Sequence, residues 1–134
     1  MSIFASPRFL RQVLFADAAS CVLCGGAQLL GGAVLADWLN LPAALLAGTG
    51  WFLLAYGATV AFVATRDPLP PRLVRLLVAG NLAWAAACAA LLAGGWIAPT
   101  RLGTWWILAQ AACVLVLADL QWTALRRRRH TAIA

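Results

Sequence analysis

The chain contains no lysine, so its ten basic residues are all arginine. Charged residues are also scarce, at 10% of the 134 residues, whereas apolar residues reach 64%. Soluble domains have roughly 25% charged and about 45–50% apolar residues. A short chain with so few charges cannot cover its own surface in water. The composition excludes an ordinary soluble domain and favours a protein of the lipid bilayer.

Residues and motifs typical of catalytic and metal-binding sites are also scarce. The single histidine is His130, near the end of the sequence, and no phosphate-binding loop, nucleophile elbow or zinc motif is present. We therefore expect no enzymatic activity, no cofactor and no metal site. The net charge of +6 raises the question of nucleic acid, but the arginines lie at the ends of apolar runs and form no basic stripe. We expect anionic lipid headgroups as their partners and no nucleic acid.

Four long apolar stretches occupy most of the chain, at about residues 9–35, 41–65, 73–97 and 102–125. Each approaches or exceeds the ~20 residues with which a helix crosses ~30 Å of hydrocarbon. The connections between them are short, so neighbouring helices should be antiparallel. The sequence predicts an all-α membrane protein with one integral membrane domain over residues 1–134. We expect a four-transmembrane-helix up-down-up-down bundle, followed by a solvated tail at residues 126–134.

The arginines predict the orientation of this bundle. All except Arg101 flank one side of the four spans: Arg8, Arg11, Arg66, Arg72, Arg75, Arg126, Arg127, Arg128 and Arg129. The positive-inside rule then places both ends of the sequence in the cytoplasm, and we expect a bacterial inner membrane. A signal peptide would also begin with basic residues before an apolar run. However, Asp17 and Gln28 interrupt this run, which exceeds the usual core of about 7–15 residues, so we expect the first span to be retained.

Each predicted span carries one stripe of polar or aromatic residues at helical spacing. The members are Asp17, Cys21, Cys24 and Gln28 in the first span, Thr49, Phe52, Tyr56 and Thr59 in the second, Asn81, Trp84 and Cys88 in the third, and Gln110, Cys113 and Gln121 in the fourth. Polar groups are costly in hydrocarbon, so we expect the four stripes to face one another inside the bundle.

A shared depth selects a candidate site from these residues. Asp17, Thr59, Asn81 and Asp119 all lie ~9–12 Å below the cytoplasmic surface, at ~1.5 Å per residue. Tyr56 lies one turn deeper than this layer. Trp84 follows Asn81 by one turn and is a candidate wall for a ligand, although core packing also explains it. We predict a proton- or ligand-binding site formed by Asp17, Tyr56, Thr59, Asn81, Trp84 and Asp119.

Asp17 carries most of this prediction. Burial favours the protonated form of a carboxylic acid, so Asp17 is a candidate for binding and releasing a proton. The simpler alternative is a neutral carboxyl group that only bonds to Asn81 or Tyr56. Asp119 is the awkward member, because it points away from the face that carries Gln110. For Asp119 the alternatives are an ion pair with Arg126 or another arginine, or a contact with a second subunit.

Two functions remain open. The size, the number of spans and the carboxyl group in the first span resemble the small multidrug resistance transporters, which implies proton-linked transport of a small solute. That family's surrounding motifs are not found, and the one-sided arginines disfavour the antiparallel dimers that many of its members form. The alternative is a non-catalytic accessory or structural subunit whose polar stripes only join helices. Its partner would be a second copy or another membrane protein.

A third and more distant alternative comes from the cysteines. The segment Cys21-Val22-Leu23-Cys24 matches the redox motif of the bacterial disulfide-generating membrane oxidoreductases, which also have four helices. The resemblance implies a thiol/quinone oxidoreductase that uses Cys21 and Cys24. That family carries the pair at the periplasmic edge, with a second pair in a long periplasmic loop. Here the pair lies within the first span and the outer connections are short. Thiols in hydrocarbon also react poorly.

Overall fold

The computed structural model describes residues 6–133, with side chains as far as residue 130, and this part of the chain folds into four α-helices. They are α1 at Pro7–Leu39, α2 at Ala43–Ala64, α3 at Pro71–Ala93 and α4 at Arg101–Ile133. All four are long and apolar enough to cross a membrane. This confirms the predicted all-helical, multi-pass membrane class.

The helix ends follow local chemistry. Ser6 caps α1 by accepting a hydrogen bond from the Arg8 backbone amide at 3.2 Å, and Pro7 takes the first position, where its missing N–H costs little. Helix α3 ends at Ala93, earlier than the predicted residue 97. The cause is the Gly94-Gly95 pair, because Gly95 has a φ of 67°, a left-handed conformation that glycine adopts freely.

Most of the predicted tail at residues 126–134 is helical. Helix α4 continues without interruption to Ile133, so Arg126 and the three arginines after it lie on the last turns of the helix. The arginine run contains strong helix formers and no glycine or proline, so nothing in it ends the helix. Helix α1 is also long, but it bends at Gly32, where φ is 34° and ψ is −114°.

The four helices form a four-sided bundle. Helix α1 packs along α2 and α4, α3 packs along α4, and α2 meets α3 over a short stretch only. Helices α1 and α3 therefore lie diagonally opposite each other in the bundle. The α1–α2 contact is tight, because a Cβ atom at Gly25 would lie 2.7 Å from the backbone oxygen of Gly50.

Two apolar clusters occupy the ends of the bundle. The arginine-end cluster includes Leu10, Leu14, Val60, Val74 and Leu125. The far-end cluster consists of Leu39, Leu41, Leu46, Cys88 and Ile107. Buried polar side chains lie along the helices between these two clusters.

A contact between α1 and a connection accompanies each cluster. At the arginine end, the Arg11 guanidinium donates to the Arg66 backbone oxygen at 3.1 Å and pairs with Asp67 at 3.7 Å. At the far end, the Thr100 hydroxyl donates to the Trp38 backbone oxygen at 2.8 Å. The start of α1 thus meets the α2–α3 connection, and the end of α1 meets the α3–α4 connection.

Candidate functional site

Asp17 is the centre of a buried hydrogen-bond network. Its exposed fraction is 0%, and that of Asn81 and Gln121 is 1% and 0%. The Asp17 Oδ2 atom accepts from Asn81 Nδ2 at 2.9 Å and from Gln121 Nε2 at 2.6 Å, while Cys21 Sγ donates to Oδ1 at 3.7 Å. Donors from α1, α3 and α4 therefore surround this carboxyl group. None of its partners among the described side chains is a cation.

Helical spacing explains how these side chains meet. Cys21 follows Asp17 by four residues, so it lies one turn along the same face of α1. Asn81 bridges the diagonal from α3, where its neighbours on the buried face are Leu77 and Ala85. Gln121 reaches in from α4, one turn from the buried Leu117. Polar donors thus occupy positions whose neighbours on each helix are apolar core residues.

Helix α2 joins the network through Tyr56. Its hydroxyl donates to the Leu77 backbone oxygen at 2.8 Å and lies 3.4 Å from Asn81 Oδ1. The Asp17 network, defined as Asp17, Cys21, Tyr56, Asn81 and Gln121, therefore contains at least one side chain from every helix. Its hydrogen bonds link α1 to α3, α1 to α4 and α2 to α3.

The structure brings three of the predicted site residues together, because Asn81 contacts both Asp17 and Tyr56. Trp84 lies one turn further along α3 and is half-buried. Its ring stacks on Phe52 at 5.5 Å with 4° between the planes, and Phe52 stacks on Tyr56 at 6.0 Å and 16°. This Trp84–Phe52–Tyr56 stack fills the seam where α2 and α3 barely touch.

Two predicted site residues lie elsewhere. Thr59 is exposed, and its hydroxyl donates to the Ala55 backbone oxygen of its own helix at 2.9 Å. Asp119 is exposed on α4 and forms no ion pair with Arg126 or another described arginine. Both residues lie on exposed faces of their helices, rotated away from the buried stripe. Helix α2 buries Gly57 and Val60 on either side of Thr59, and Asp119 lies about 200° around α4 from Gln121.

Gln121 belongs to the Asp17 network, although the predicted site does not include it. The stripe on the fourth span includes it, but only as a link between helices. In the structure it makes the shortest hydrogen bond to Asp17. Its other side-chain atom, Oε1, is buried and has no hydrogen-bond partner among the described residues. Its place on the polar stripe of the fourth span, close to the predicted depth of Asp17, could have identified it. Asp119, two residues earlier, was chosen because it is a carboxylic acid.

A second polar contact lies about three turns from Asp17 along α1. The Thr49 hydroxyl donates to Gln28 Oε1 at 2.6 Å, and Gln28 Nε2 donates to Cys24 Sγ at 3.4 Å. This contact joins α1 to α2 without any ionisable acid. It is typical of the amide bridges that hold membrane helices together.

Three small cavities run through the interior, and all of them touch Trp84. The first, of about 50 Å³, adjoins Cys21 and Gln110; the second, also about 50 Å³, adjoins Gln28 and Trp106; the third, about 20 Å³, adjoins Cys21 and Asn81. A buried water needs about 10–15 Å³, whereas sites for small organic ligands measure about 300–1,000 Å³. These three cavities accommodate water molecules and no larger solute.

The cysteines are four free thiols. Cys21 is buried and donates to Asp17, and Cys24 is half-buried and accepts from Gln28. Both lie in the middle of α1, away from either connection. Among the described residues, no group of three or more histidine, cysteine, aspartate or glutamate side chains is arranged to hold a metal ion.

Comparisons with protein families, with curated proteins and with solved structures find no match to this chain. A proposal for the function therefore rests on the Asp17 network and the cavities beside it.

Proposed function

We propose that the protein is a non-enzymatic, proton-linked carrier of a small solute in the bacterial inner membrane. Its helices run up-down-up-down, with both ends of the sequence in the cytoplasm. The one-sided arginines support this orientation through the positive-inside rule. Two contacts are also those expected of helices that alternate in direction. Arg11 contacts the α2–α3 connection, and Thr100 contacts the end of α1.

The observation that carries the proposal is the buried Asp17 carboxyl group. It has amide donors from two other helices, and no cation lies beside it among the side chains that the structure describes. A charged side chain at the membrane centre costs about 2.5–3.5 kcal/mol on insertion scales. An asparagine at this position would bridge the same helices without that cost. A carboxyl group adds one property that an amide lacks, which is the ability to bind and release a proton.

The Gln121 side chain can change its hydrogen bonding when Asp17 binds a proton. In the present arrangement its N–H group donates to Asp17, and its buried Oε1 atom has no partner among the described residues. A protonated carboxyl group is itself a donor and needs an acceptor. Rotation of the Gln121 amide would exchange its nitrogen and oxygen and supply that acceptor. Protonation of Asp17 would thereby reverse a hydrogen bond between α1 and α4.

Transport of a solute requires the bundle to open, because the interior cavities admit only water. The α2–α3 seam is the least extensive contact between neighbouring helices, and the Trp84–Phe52–Tyr56 stack closes it. Opening there would expose aromatic faces beside the Asp17 network. Such faces suit an aromatic or cationic solute.

Infrared difference spectroscopy between acid and alkaline pH tests proton binding directly. We expect a band from a buried protonated carboxyl group that is lost in Asp17→Asn and kept in Asp37→Asn. Asp37 lies on the same helix but is exposed, so it serves as the matched control. Circular dichroism should show unchanged helix content in both variants. A spectrum of Asp17→Asn that is identical to the wild type would refute the proposal.

A transport assay then tests coupling. Proteoliposomes with an imposed pH gradient should move ethidium, an aromatic cation, with wild-type protein and with Asp37→Asn but not with Asp17→Asn. The second candidate function is a structural subunit, which the Gln28–Thr49 bridge and the small cavities favour. A structural subunit would show neither the infrared band nor any difference in flux.

A further inference from the structure

A larger cavity lies outside the Asp17 network, on the face shared by α3 and α4. This α3–α4 groove has a volume of about 500 Å³. Val78, Leu82 and Leu115 are among its apolar lining residues, and Arg75, Asp119 and Trp122 are its polar or amphipathic ones. Its size is within the range of about 300–1,000 Å³ that ligand sites occupy.

The two charged side chains in the groove, Arg75 and Asp119, do not form an ion pair with each other. Arg75 uses its Nε atom for a hydrogen bond to the Pro71 backbone oxygen of its own helix, at 3.3 Å. Asp119 makes no hydrogen bond or ion pair with any described residue, and Arg75 is not within ion-pair distance of it. Both side chains are exposed, and in a bundle that crosses a membrane such a surface would face lipid. A carboxylate in that position is costly unless a cation from outside the chain lies beside it.

We propose that the α3–α4 groove binds one zwitterionic aminophospholipid, such as phosphatidylethanolamine. Arg75 binds the phosphate, Asp119 accepts hydrogen bonds from the ammonium group, and an acyl chain lies along Val78, Leu82 and Leu115. The indole ring of Trp122 suits the level of the headgroup. An anionic lipid without an amine would satisfy Arg75 but would leave Asp119 next to a negative charge.

A second copy of the chain is the competing occupant, since it also offers an arginine and an aspartate. Reciprocal Arg75–Asp119 pairs would require a two-fold contact in which the same patch of each copy meets its counterpart. Two concave grooves would then face each other and leave a void, where stable interfaces are packed as densely as protein interiors. One lipid chain fills the groove and carries both complementary charges.

Native mass spectrometry of the full chain, released from detergent with equal amounts of phosphatidylethanolamine and phosphatidylglycerol, tests the lipid and the oligomer in one measurement. We expect one bound phosphatidylethanolamine per monomer, preferred about fivefold, the effect of one ionic contact at a membrane surface. Asp119→Asn should abolish this preference, and Arg75→Gln should weaken retention of both lipids about fivefold. Arg72→Gln, an exposed arginine on the same helix outside the groove, is the control and should behave as wild type.

Three results would overturn the inference. Equal retention of the two lipids by the wild-type chain would show that the ammonium group is not recognised. An undiminished preference in Asp119→Asn would place the recognition elsewhere. A dimer mass that either groove substitution abolishes would identify a second copy as the occupant.

Discussion

The hydrogen bond between Asp17 and Gln121 allows a quantitative test of the network. Hydrogen bonds to charged groups contribute about 1.5–3 kcal/mol, whereas polar bridges between membrane helices average about 0.6 kcal/mol. Because Asp17 receives donors on both carboxyl oxygens, the arrangement suits an ionised carboxylate. Asp17→Asn keeps a neutral amide that can still bond to Gln121. A double-mutant cycle with Gln121→Met therefore measures the contribution of the charge, and we expect a coupling of about 1–2 kcal/mol.

The cycle is measured by reversible unfolding in mixed detergent micelles, with helix content followed by circular dichroism. The four proteins are wild type, Gln121→Met, Asp17→Asn and the double variant. Gln110→Met is the matched control, because Gln110 lies on the same helix and makes no hydrogen bond to Asp17. Its cycle with Asp17→Asn should show additivity within about 0.3–0.5 kcal/mol. A coupling of that small size for Gln121 as well would mean that Asp17 is neutral in this arrangement, and the charged-network reasoning would be refuted.

Two further substitutions test the helix contacts by the same unfolding measurement. Gly25→Ala should cost about 1–3 kcal/mol, because its Cβ atom would lie 2.7 Å from a backbone oxygen of α2. Its neighbour Gly26→Ala meets nothing within 4 Å and should be neutral or slightly stabilising, so equal losses would contradict the close packing of α1 on α2. Phe52→Ala removes the middle ring of the aromatic stack and should cost about 0.5–1.5 kcal/mol more than Phe15→Ala, an exposed phenylalanine of α1. A loss no larger than that of Phe15→Ala would show that the stack does not hold α2 against α3.

The helices were predictable because each apolar stretch is long enough to leave little choice of secondary structure. The buried stripes of α1 and α3 were also predictable, since the polar residues in the middle of each helix lie on one face. Asp17 and Gln28 on α1, and Asn81 on α3, are buried as expected. In lipid a polar group has few places to point other than the interior, so polarity identifies the inner face of such a helix.

Helix α2 shows where this reasoning stops. Its polar stripe suggested that Thr59 faces inwards, but the buried face is centred on Gly50, Gly57 and Val60. Close packing against α1 needs small residues, and this requirement outweighs the modest gain from burying one hydroxyl that can bond to its own backbone. Side-chain size, rather than polarity, decides the rotation of α2. The sequence of one helix does not show whether close packing or burial of a hydroxyl group contributes more, because that depends on the helix packed against it.

The two ends of the bundle differ in the access that they would give a proton to Asp17. The arginine-end cluster packs Leu14, Val60 and Val74 against one side of the network. Toward the far end, the cavity beside Asn81 is followed by those beside Gln110 and Trp106, all of them touching Trp84. Each cavity has room for water, and the buried Trp106 Nε1 atom has no hydrogen-bond partner among the described residues. A proton would thus reach Asp17 most easily from the far end in this arrangement. Delivery to the arginine end would require the leucine and valine side chains of that cluster to separate.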